Sequence, residues 1–161
     1  MRWRGCEGAV LDRSGETLQH MTHARQPAFR FQPSLFALVV HLLLLGAVFA
    51  LFAGRKPGMF RSEAVLSLVP GFYSHISNFS LSYALYAGIG FMWLMMGVPM
   101  RHLALAGLAL AGANVLYELF LPLLNTRDPV DAVYGVVGTL LAFAWLWILR
   151  RFGMKALPAP T

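Results

Sequence analysis

Four stretches of the chain, 34–53, 77–98, 103–124 and 129–149, each run for membrane length with almost no charge. A helix of about 20 apolar residues crosses a hydrocarbon core of about 30 Å. Inside lipid a backbone satisfies its polar groups only within a helix or a closed barrel. The pattern therefore predicts an all-α, polytopic membrane protein built as a four-helix transmembrane bundle. Composition agrees: 12% of the 161 residues are charged and 58% are hydrophobic, where a soluble domain carries about 25% charged residues.

The flanks divide the chain into three parts. Residues 1–33 are polar and irregular, with five arginines, Pro27 and Pro33, and read as a flexible cytoplasmic tail. Residues 34–152 hold the apolar runs, and 153–161 form a short C-terminal tail. Met21 offers an alternative start to Met1. The nine residues 65–73, "VLSLVPGFY", are too short to span and are broken by Pro70-Gly71, so an interfacial or re-entrant piece is expected before the second helix. Pairs of small residues four apart, Ala84 and Gly88, Gly107 and Ala111, Gly138 and Ala142, predict faces where helices pack closely.

Lys and Arg fix the expected orientation. The N-terminal tail holds five, the loop at Arg101 one and the C-terminal end three, against Arg55, Lys56, Arg61 and Arg127 on the other side. Nine against four places both termini in the cytoplasm of a bacterial inner membrane. The basic residues flank apolar runs and form no patch, which argues for anionic-lipid contacts and against nucleic acid. A single cysteine, Cys6, excludes an intramolecular disulfide. His20 and His23 have helical metal spacing but no third ligand in reach, and His41 within the first run reads as a packing histidine.

This topology gathers polar residues at the outer face. His75, Asn78 and Ser82 fall at i, i+3 and i+7, one stripe of the second helix. Glu118, six residues before the end of the third run, lies about 9 Å below that face at about 1.5 Å per residue, with Asn114 one turn deeper. Asp128-Pro129-x-Asp131 reads as a helix start: Asp at N-cap, Pro at N1, a carboxylate at N3. Arg127 is a snorkelling cation or the counter-charge of Glu118. A carboxylate inside a span costs several kcal/mol unless paired, protonated or wet, so Glu118 reads as functional.

Glu118 and Arg127 lie nine apart, Asp131 and Gly138 seven apart, and His75 heads an earlier helix. Over about residues 35–150 this pattern resembles the VanZ-like family of small bacterial membrane proteins. Where that family shows Asp-Lys before the histidine this chain has Gly71-Phe72; its Asn is Gly135 here, and its Gln is Leu121. The resemblance implies the helical membrane fold, and no antibiotic-resistance role is carried over from it.

The expectation is a non-enzymatic membrane protein with an outward polar pocket, lined by His75, Asn78, Glu118, Arg127 and Asp131. It would bind or reorganise an envelope lipid, precursor or glycopeptide, with Arg127 on a phosphate or carboxylate. The alternatives are a membrane enzyme using His75, Glu118 and Asp131 for acid–base or metal-assisted chemistry, and a structural subunit of a larger complex. No activated nucleophile, phosphate loop or metal motif of recognised spacing stands in the sequence, so no catalytic residue, metal or cofactor is assigned.

Overall fold

The computed structural model describes residues 29–58, 60–120 and 128–158, and they are mostly helical. In chain order they form β1 (Phe31–Pro33), α1 (Leu35–Ala53), α2 (Glu63–Leu68), α3 (Phe72–Met95), α4 (Met100–Phe120), α5 (Pro129–Ile148) and β2 (Met154–Ala156). A π-helical turn at Leu149–Gly153 extends α5.

Each boundary has a local cause. Ser34 caps α1, its hydroxyl accepting from the Ala37 amide at 3.3 Å, and Gly54 closes it by donating to the Ala50 carbonyl. Where an interfacial or re-entrant piece is expected, at 65–73, the chain forms the short α2, which stops ahead of Pro70. Gly71 then turns the chain at φ +84°, a left-handed conformation that glycine adopts without a Cβ penalty. That reversal is complete by Phe72, so α3 begins ahead of the apolar run expected from 77 and carries His75 in its first turn, as the stripe 75, 78 and 82 requires. Likewise α4 begins at Met100, straight after Pro99, and not at 103; the expected end at 124 lies outside the described residues.

The long helices alternate in direction. At one end β1 pairs antiparallel with β2, and the Arg30 amide donates to the Met95 carbonyl at the foot of α3. At the other end the Ser62 amide donates to the Tyr73 hydroxyl at 3.0 Å, close to the heads of α3 and α5. Residues 31–33 and 154–156 thus form a short two-stranded ribbon in an otherwise helical chain, where the sequence pattern predicts only tail. Two short extended segments meet beyond the helix ends and satisfy each other's backbone groups.

The core lies where α3 packs on α5, with Tyr83, Tyr86, Ala87, Phe91 and Leu94 against Ala142, Leu146 and Leu149. Small residues set the distance of approach. A Cβ at Gly138 would strike the Phe79 backbone, and one at Gly107 would stand 2.7 Å from the Tyr86 hydroxyl. Ala142 is fully buried. Ala84 and Gly88 do not form the expected packed face. Ala84 lines an open apolar groove of about 560 Å³ between α1 and α3, and nothing stands against Gly88. Gly90, two residues on, takes the close contact with Leu146 instead.

Two helices among the described residues, α1 and α5 with its extension, are long and apolar enough to cross a membrane. In α3 and α4 serines, asparagines, His75 and Glu118 dilute the apolar stretch. His41 packs as expected: buried in α1, it accepts from the Trp145 indole at 3.0 Å and stacks on Phe91.

Candidate functional site

The polar residues of α3 meet those of α4 and α5 in three successive rungs. At the head of α3, His75 Nδ1 lies 2.9 Å from Asp131 Oδ1 and 3.4 Å from Asp128 Oδ2. One turn further along, Asn78 Nδ2 donates to Glu118 Oε1 at 2.9 Å. A further turn in, Asn114 Nδ2 donates to Ser82 Oγ at 3.0 Å. The helical period makes this ladder: residues 75, 78 and 82 share one face of α3, and 114 and 118 one face of α4.

The second rung holds a drier carboxylate than the first. His75, Asp128 and Asp131 keep 23%, 33% and 16% of their side-chain surface exposed. Glu118 is buried at 5%, and its Oε2 finds no partner among the described residues. A buried carboxylate oxygen left unpaired is costly, which sets Glu118 apart from the other carboxylates here. Phe72 and Tyr134 wall the outer rung, the Tyr134 ring 5.6 Å from that of His75.

Asp128 has two uses. Its Oδ1 accepts from the Val130 amide at 2.9 Å, the expected cap of α5 with Pro129 at N1. Its Oδ2 turns toward His75. Sequence reasoning counted Asp128 as a cap alone, because a contact across more than fifty residues leaves no local trace. The expected pocket holds His75, Asn78, Glu118 and Asp131; within it Glu118 pairs with Asn78, one rung deeper than the His75–Asp131 contact. Arg127 lies outside the described residues.

Gly135 packs against the third rung. A Cβ there would stand 2.7 Å from Asn114 Cγ. The glycine therefore leaves room for the Asn114 carboxamide.

Beside the ladder, Arg55, Arg61, Tyr73 and Ser74 line an open pocket of about 280 Å³. The Arg61 guanidinium lies 5.4 Å from the centre of the Tyr73 ring, and that of Arg55 lies 5.5 Å from that of Phe52. Neither arginine meets a carboxylate among the described residues. From the sequence these two were topology signals only. Their convergence depends on the turn at Gly54 and on α2 folding the chain back over the head of α3.

No family model, curated protein or solved structure matches the chain. The resemblance to the VanZ-like family therefore rests on the residue pattern alone.

Proposed function

We propose that the chain is a VanZ-like, four-span protein of the bacterial inner membrane, whose outward face binds the anionic head group of an envelope lipid or lipid-linked precursor. The observation that carries the reading is the pocket in which Arg55 and Arg61 stand without carboxylate partners among the described residues, beside the His75–Asp131 rung. Guanidinium groups offer planar, paired donors suited to phosphate. Stacking on Phe52 and Tyr73 holds both cations in place before a ligand arrives.

Three features support the four spans. Large apolar side chains, among them Leu42, Leu43, Phe49, Leu85, Leu105, Leu108, Leu140 and Trp147, point outward around the bundle. Contiguous apolar surface of this kind suits lipid and is rare on a soluble monomer. The β1–β2 pairing holds both ends of the helical region on one side, as an even number of crossings requires. The charge count puts that side in the cytoplasm.

The test is lipid binding by native mass spectrometry, with phosphatidylglycerol as probe and phosphatidylcholine as control. Wild type is expected to retain phosphatidylglycerol selectively, and the Arg55→Gln/Arg61→Gln double variant to lose at least tenfold in affinity. Equal retention of both lipids by wild type, or unchanged binding in a folded double variant, would overturn the reading.

A further inference from the structure

One nitrogen of His75 faces two carboxylates. An imidazole nitrogen carries one proton and makes one good hydrogen bond with it. Asp131 Oδ1, at 2.9 Å, takes that bond, which leaves Asp128 Oδ2 at 3.4 Å from the same atom with only a long contact. The Asp128 carboxylate cannot simply turn away, because its other oxygen holds the cap of α5. Among the described residues neither carboxylate pairs with a lysine or arginine, and His75 is the group they share.

The two histidine–carboxylate spacings fit ligands around one ion. Metal–nitrogen and metal–oxygen bonds of about 2.1 Å put adjacent donors about 3.0 Å apart in octahedral and about 3.4 Å apart in tetrahedral geometry, and trans donors about 4.2 Å apart. The two histidine–carboxylate separations bracket the adjacent values, and all three donor atoms lie within 4.8 Å of one another.

We infer that His75 Nδ1, Asp128 and Asp131 form a binding site for a divalent first-row transition cation, of which Zn²⁺ is the type. The imidazole donor favours zinc-like ions over magnesium or calcium, which prefer all-oxygen cages. Binding requires the deprotonated nitrogen, so the ion replaces the proton that Nδ1 gives to Asp131 in its absence. Three protein ligands leave at least one coordination position open, and the partial exposure of the rung puts it within reach of water or a phosphate oxygen. The ion also cancels the two carboxylate charges, which otherwise repel an anion beside the Arg55–Arg61 pocket. Ion binding depends on the cluster alone; its coupling to a lipid phosphate rests on the function proposed above.

The experiment uses full-length, metal-stripped protein in detergent, titrated with Zn²⁺ by calorimetry and with Co²⁺ by visible absorption. Wild type and His102→Gln, an exposed histidine at the head of α4, are expected to bind one ion per chain with equal affinity. His75→Gln, Asp131→Asn and Asp128→Ser are each expected to bind at least tenfold more weakly. Asp128→Ser keeps a capping oxygen while removing the ligand carboxylate, so its melting temperature in metal-free buffer should match wild type. A folded Asp128→Ser and Asp131→Asn that both bind zinc as wild type does would overturn the site, and so would a wild type that takes up no ion. Phosphatidylglycerol binding, measured in parallel with and without chelator, separates the two readings. Zinc bound without lipid selectivity sinks only the proposed function; lipid bound selectively without zinc sinks only the ion site.

Discussion

Asn78 and Glu118, forty residues apart in sequence, meet through a 2.9 Å hydrogen bond that joins α3 to α4 at a buried level of the bundle. The amide donates to one carboxylate oxygen, and the other finds no partner among the described residues. Among the described residues Asn78 is thus the side chain that pairs with the buried Glu118.

Removing it should therefore cost more than a surface hydrogen bond. Asn78→Ala is expected to lower stability by about 1–3 kcal/mol, the cost of leaving a buried polar group unsatisfied. Glu118→Leu added to Asn78→Ala should recover part of that loss, a coupling of about 0.5–3 kcal/mol. Denaturant melts of the two single variants and the double variant in detergent measure it. Strictly additive losses would show that the pair does not act as a unit.

Asn114 and Gly135 should behave as a complementary pair. Gly135→Asn alone drives a side chain into the Asn114 amide and is expected to destabilise by about 1–3 kcal/mol, as overpacking does. Asn114→Gly in the same molecule vacates that space and should restore at least half of the loss. Thermal melts of both variants decide it, and a double variant no better than Gly135→Asn alone would mean the amide is not the obstacle.

Asp128 can be divided into cap and charge. Asp128→Ala should cost about 1 kcal/mol, the usual price of a lost N-cap, whereas Asp128→Ser should cost only a few tenths. A difference in melting temperature between the two, measured without metal, checks the cap.

The proposed orientation is open to chemical labelling. In a Cys6→Ser background, a cysteine at the exposed position Glu63 should react with an impermeant thiol reagent in intact cells, and one at exposed Ala156 only after lysis. The opposite pattern would turn the Arg55–Arg61 pocket toward the cytoplasm.

How much of this was legible in the sequence follows from the range of each interaction. The stripe 75, 78, 82 and its counterpart 114, 118 follow from the helical period, and Asp128 as a cap follows from Asp-Pro-x-Asp, so both were readable. Which rung each carboxylate joins was not, because it depends on how far α4 slides along α3. That depth is set by contacts such as Gly107 against Tyr86. The apolar run alone marks α3 only from 77, because Phe72–Ile76 mixes polar and apolar residues; the turn at Gly71 sets the helix start at Phe72. Arg55 and Arg61 were counted for charge alone, since a pocket made by chain reversal has no periodic signature.

The β1–β2 ribbon has a mechanical consequence. Phe31 stands opposite Ala156 and Pro33 opposite Met154, so the chain enters and leaves the ribbon side by side at the same edge. A load applied between the two ends therefore peels the ladder one rung at a time and never shears all rungs together. The ribbon should open at low force, before any helix is drawn from the bundle. In a single-molecule pulling record the first event would be a short, weak step that releases both ends while the polar rungs at the far end of the bundle remain intact.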